Sequence, residues 1–185
     1  LDQPGCRQQN PDKSYAMKIG GRLHTQAATH LHDDNFTTVD PNDGTEIRRA
    51  RIELSGTIAE DWRWAAETEY SNNQVRIVDF WLSYTGLAEN LDITFGHQKQ
   101  PYSLSVEMSS NDIAFVERSI DNALVIPFVD RAIGLRLDRN GQNWFVAAGV
   151  FGESVPPTSL TSSTEVVTDG GNEGYAAVGR FIYSP

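Results

Sequence analysis

The 185-residue chain carries 15 Lys+Arg against 25 Asp+Glu, a net charge of −10, and one cysteine, Cys6. A lone cysteine excludes an intrachain disulfide framework and a cysteine zinc site, and the acidic balance argues against nucleic-acid binding, which needs clustered Lys and Arg. No stretch approaches the roughly 18 apolar residues of a membrane helix, and the sequence from Leu1 onward is expected to carry no signal peptide. Length alone therefore suggests one soluble acidic domain.

In chain order, residues 1–13 are expected to form a Gln/Asn/Pro-rich tail. Period-2 alternation then begins, the mark of a two-faced strand. Met17, Ile19, Leu23 and Ala27 alternate with Lys18, Gly20, Arg22, His24 and Gln26. Next, Ala50, Ile52, Leu54 and Ile58 oppose Arg49, Arg51, Glu53, Ser55 and Thr57. After the short turn Ala59–Asp61, Trp62, Trp64, Ala66, Thr68 and Tyr70 oppose Arg63, Ala65, Glu67, Glu69 and Ser71, which predicts a hairpin. The pattern recurs with Val78, Phe80, Leu82 and Tyr84, then Leu91, Ile93 and Phe95, then Ile133, Leu135 and Leu137. Trp144–Phe151 and Tyr175–Tyr183 complete eight candidate strands, with Arg180 marking the polar face of the last. No helix longer than a turn or two is expected.

The connections are uneven. Ala59–Asp61, Gly86–Asn90 and Arg139–Asn143 are short, whereas His30–Thr45, Gln100–Arg131 and Glu153–Gly174 are long; Ser71–Gln74 is a brief exception. Short turns at one end and long loops at the other mark an up-and-down meander and match outer-membrane barrels. A soluble sandwich also alternates. Three features favour the membrane: a polar face with both signs of charge, aromatics near strand ends on the apolar face, and strands near the ~10 residues of a tilted bilayer crossing.

Several segments also carry a family resemblance. GTEIRRARIELSGTIAEDWRWAAETEY (Gly44–Tyr70), VDFWLSYTGL (Val78–Leu87), LDITFGHQKQPYSLS (Leu91–Ser105), SSNDIAFVERS (Ser109–Ser119) and NWFVAAGVFGES (Asn143–Ser154) resemble, in order and spacing, the phosphate-selective porin O/P family. The resemblance implies an all-β antiparallel up-and-down transmembrane barrel in the outer membrane of a Gram-negative bacterium. It further implies a sixteen-stranded homotrimeric architecture, with about eight strands present here, so that 14–185 is the N-terminal half of the barrel. Gln100–Arg131 corresponds to an inserted loop that constricts the channel.

The implied function is passive diffusion of small ions, phosphate or other anions included, through a water-filled channel, with no enzymatic step and no cofactor. Anion passage needs basic groups that replace lost hydration. Lys18, Arg22, Arg49, Arg51, Arg63, Arg76, Arg136 and Arg180 are the candidate channel-lining bases; pairing with neighbouring Glu and Asp across strands is the competing role. In the loop, Ser109, Ser110, Asn111, Asp112, Glu117 and Arg118 are candidates, Glu117 and Arg118 also as a salt bridge to the wall. Phosphate-binding family members carry a loop lysine near the stretch matching Ser109–Ile113; Asn111 and Asp112 stand there, and Lys99 at the loop root is the nearest substitute.

His24, His30 and His32 beside Asp33 and Asp34 have metal-binding composition, but no metal site is assigned. Glu67 and Glu69 share a face as a glycosidase pair does, yet Arg63 beside them fits ordinary lumen charge. Outer-membrane lipid and small anions are the expected partners. Two other functions fit the alternation: a structural outer-membrane barrel scaffolding surface partners, and a soluble carbohydrate-binding β-sandwich.

Overall fold

Alternation becomes strand wherever it was expected. The computed structural model describes residues 6–12, 14–29, 44–109, 112, 130–155, 158–159 and 174–185. The elements are β1 (Cys6–Gln9), β2 (Tyr15–Ala28), β3 (Gly44–Ile58), β4 (Trp62–Glu69), β5 (Gln74–Ala88), β6 (Leu91–Lys99), the one-turn helix α1 (Leu104–Glu107), β7 (Arg131–Asn140), β8 (Trp144–Phe151), β9 (Thr158–Ser159) and β10 (Ala176–Tyr183). The sheet runs β1-β2-β3-β4-β5-β6-β7-β8-β10, with β9 paired to β5. Every pairing is antiparallel. This is an up-and-down barrel wall, with β1 and β10 as the edges of the described sheet. The expected tail differs: Cys6–Gln9 pairs with Ala16–Ile19, because even a polar edge segment satisfies its backbone by extending a ladder.

Turn chemistry explains the tight connections. Asn72 and Asn73 both adopt positive φ, the geometry of a hairpin turn whose central residues twist with the strands, and Gln74 N–H donates to Ser71 O. Ala59, Glu60 and Asn90 make the same excursion in two other turns. Strands also run further than the sequence suggests, β5 reaching Ala88 and β7 reaching Asn140.

Burial decides which solvent each face meets. The apolar face is the exposed one: Leu23 is 65% exposed, Phe80 64%, Phe95 62% and Phe181 67%. The ionic face is covered, with side-chain exposures of 11% at Arg22, 9% at Arg51 and 6% at Glu69. A sandwich buries its apolar face against a second sheet. Here that face is a continuous outward band, as lipid requires.

At the short-turn end, Tyr15 opens β2, Trp62 opens β4, Trp144 opens β8 and Tyr183 closes β10. Trp62 pairs with Tyr84, ring centroids 4.8 Å apart, and Trp144 pairs with Tyr183. Amphipathic rings at one level form an interfacial girdle.

Two irregularities re-aim side chains. The register slips between His24 and Thr25, leaving Arg48 as the extra residue of β3. A second slip leaves Val78 unmatched on β5. Val78, expected on the apolar face with Phe80 and Leu82, is instead buried, because a bulge resets the alternation. Its carbonyl lies 3.1 Å from Nδ1 of buried His97. Beyond β8, Gly152 and Glu153 continue pairing along Ile133, and β9 pairs with Gln74–Val75, where β5 extends past the end of β6.

Candidate functional site: the ionic face of the wall

Three groups of charges line the covered face. The first spans β2, β3 and β4. Arg22 lies directly opposite Arg51 and Glu53 directly opposite Glu67, so like charges share these rungs, while opposite charges meet on the diagonals and where Arg51 faces Glu69. Arg22 Nε donates to Glu53 Oε1 at 2.9 Å, and its Nη2 lies 3.8 Å from Glu67. Arg51 reaches Glu67 at 2.6 Å and also pairs with Glu69. Glu69 in turn accepts the Ala50 N–H at 2.6 Å. Each carboxylate that has left bulk water thus meets a guanidinium or an N–H.

The second group bridges β5 and β7 across the intervening β6. Arg131 grips both oxygens of Asp79, at 3.0 and 3.2 Å, in the forked geometry that guanidinium and carboxylate favour. Its Nη1 reaches Asp130 at 3.2 Å.

The third group holds the segment that leaves the wall after Lys99. Ser103 caps α1, accepting from Val106 N–H at 3.2 Å. Glu107 then bonds Arg136 of β7 at 2.5 Å and also Arg180 of β10. Lys99 Nζ donates to the carbonyls of Glu107 (2.8 Å) and Met108 (3.1 Å). Arg136 bonds Asp138 at 2.8 Å and Lys99 O at 3.2 Å, and the Arg180 guanidinium stacks 5.4 Å from the centre of Phe145. Between the two arginines, β8 presents Gly149 opposite Arg136 and Ala147 opposite Arg180. Those small residues leave room for both long side chains to converge on one carboxylate. Val106, Ala132, Ala147 and Phe151 are buried.

The candidate bases therefore divide. Arg22, Arg51, Arg136 and Arg180 are ion-paired, whereas Lys18, Arg63 and Arg76 have no ion-pair partner among the described residues. Arg49 lies opposite His24. Lys99 is occupied in holding α1 rather than projecting freely. Ser109 accepts the Asp112 N–H at 3.0 Å. Ser110, Asn111, Glu117, Arg118, His30, His32, Asp33 and Asp34 lie outside the described residues. Sequence reasoning missed the roles of Glu107 and Arg131; both sit where strand period ends, and their partners lie 73 and 52 residues away in sequence.

Comparison with known proteins agrees with this geometry. The family model for phosphate-selective porin O and P matches residues 17–185. The chain is 30% identical over 115 residues to Porin O of Pseudomonas aeruginosa, covering 58% of this chain and 25% of that protein. It is 28% identical over 147 residues to an uncharacterized protein of Caulobacter vibrioides, covering 77% of this chain and 28% of that protein. The matched region spans about a quarter of the length of these relatives. The chain belongs to the phosphate-selective porin O and P family of Gram-negative outer-membrane porins.

Proposed function

We infer that this wall encloses a water-filled channel for passive diffusion of small ions, with inorganic anions such as phosphate as the favoured solutes. The observation that carries the reading is the inverted burial: ionic residues face the covered side while Leu23, Phe80 and Phe95 face out. Acids balance most of the arginines on that face. Lys18, Arg63 and Arg76 are left without an ion-pair partner among the described residues, against Asp92 on the acidic side. The surplus is basic, which lowers the cost of an anion entering from bulk water. Gln100–Arg131 is assigned as the constricting loop, supported by the anchoring of α1 on the ionic face. A homotrimer in outer-membrane lipid is the assembly the family relationship favours. Solute crosses without covalent chemistry.

Single-channel recording of the intact protein in planar bilayers tests the function. Steady ohmic conductance and a reversal potential favouring anions in a salt gradient are expected. Absence of current, or strong cation preference, rejects it.

A further inference from the structure

Glu107 is the acid on which two wall strands converge. Its two carboxylate oxygens are divided between Arg136 and Arg180, which come from β7 and β10 on either side of β8. Arg136 has a second acid in Asp138, but Glu107 is the one acid paired with Arg180 among the described residues. Two further nitrogens of Arg180, Nε and Nη1, are buried without a hydrogen-bond partner. The Phe145 ring beneath it keeps the guanidinium in place independently of Glu107. Lys99 holds the same turn of helix through the backbone carbonyls of Glu107 and Met108.

Charge and position are therefore coupled at one side chain. Lys99, Arg136 and Arg180 face Glu107 and Asp138, with Asp92 directly opposite Asp138, three positive groups against three negative. Removing the Glu107 charge turns a balanced cluster positive and leaves Arg180 with no acid among the described residues. It also cuts the side-chain tie between α1 and the wall.

We propose that Glu107 is a positioning and selectivity-setting residue of the channel, clamping the root of the inserted loop to the wall and masking the charge of Arg136 and Arg180. The proposal rests on the channel reading above. Glu107 tempers anion preference and fixes α1 against the wall. Its two roles separate chemically: Gln keeps the length and loses the charge, whereas Asp keeps the charge and is one methylene too short to span both arginines.

Planar-bilayer recording of the intact protein carrying Glu107→Gln, Glu107→Asp, Arg180→Met or the Gln/Met pair tests it. One unit charge about 10 Å from the ion path changes each ion's local population by about twofold. Glu107→Gln is expected to raise the anion-to-cation permeability ratio about fourfold, since anion and cation shift in opposite directions, and to increase open-channel current noise. Glu107→Asp is expected to raise the noise while leaving the ratio near wild type. Arg180→Met is expected to lower the ratio, and its effect is expected to be larger in the Glu107→Gln background, where the guanidinium is unmasked. Heat-modifiable mobility on gels confirms that each variant folds, and Arg180→Met supplies the test should Glu107→Gln not fold. A conducting wild type whose Glu107→Gln variant matches it in ratio and noise overturns the clamp and leaves the channel reading intact. A wild type without current overturns the channel reading itself.

Discussion

Arg22 and Arg51 stand directly opposite each other on β2 and β3, two guanidinium groups on one rung. Like charges in that position repel. They are tolerated because Glu53 and Glu67 fill the diagonals and Glu69 stands directly opposite Arg51 on β4, with Arg51 bound to both Glu67 and Glu69. Arg51→Ala leaves Glu67 with only Arg22 at 3.8 Å and Glu69 with the Ala50 N–H, and removing one partner of a buried pair costs about 3 kcal/mol. Arg22→Ala is expected to cost less, since its main partner Glu53 is the more exposed acid. Arg51→Lys restores charge without the fork and is expected to recover part of the loss. Denaturant unfolding in detergent micelles measures all three.

The outward face makes a prediction of opposite chemistry. Leu135 lies between Phe95 on β6 and Val150 on β8, and all three are exposed. In lipid that position is apolar on every side. Leu135→Arg is expected to cost about 2–4 kcal/mol when the protein folds into vesicles, the usual penalty for a cation near the bilayer midplane of a barrel. A water-facing Leu135 predicts little change. Folding yield and unfolding free energy in phospholipid vesicles distinguish the two.

The two faces were readable from sequence because a strand puts Met17, Ile19 and Leu23 on one side and Lys18 and Arg22 on the other whatever its partner. Other features depend on partners. Val78 looks like a member of the Phe80 and Leu82 row until a bulge turns it inward. Cys6–Gln9 has no apolar alternation, and becomes a strand only because the β2 edge is there to pair with it. The Asp79–Arg131 fork and the Glu107 clamp join distant segments and depend on register, which local pattern does not encode. Hence the basic residues were legible as a set, while the division between paired and unpaired bases was not.

Gly96 makes a sharper test of the wall's backbone. Its φ is +131°, and an added Cβ would collide with the Phe80 carbonyl and lie 2.7 Å from Trp81 Cα. Neither obstacle is a flexible side-chain end. Gly96→Ala is expected to destabilise by roughly 1–3 kcal/mol through backbone strain. Gly179 on β10 is the control, since its added Cβ meets only the Ala147 carbonyl at 3.8 Å. Gly179→Ala is expected to fold with near-wild-type stability, so thermal unfolding of both variants separates local geometry from a general cost of filling glycines.

The three candidate channel-lining bases without an ion-pair partner among the described residues provide the selectivity test. Lys18 lies between Arg7 on β1 and Ser55 on β3, and Arg63 lies between Thr57 and Ser83, so no carboxylate stands directly opposite either of them. Arg76 lies opposite Glu69, whose two oxygens are already taken by Arg51 and the Ala50 N–H. Replacing Lys18, Arg63 and Arg76 together with Gln removes three charges and breaks no ion pair among the described residues, so stability is expected to hold within about 0.5 kcal/mol of wild type. The anion-to-cation permeability ratio is expected to fall by more than tenfold, because three local charges act together on both ions in opposite directions. Salt raises the screening, so the difference from wild type is expected to shrink as ionic strength rises toward 1 M, where the Debye length is about 3 Å. A triple variant that unfolds readily would mean these groups are structural. One that stays folded with an unchanged ratio would place the ion path elsewhere on the wall.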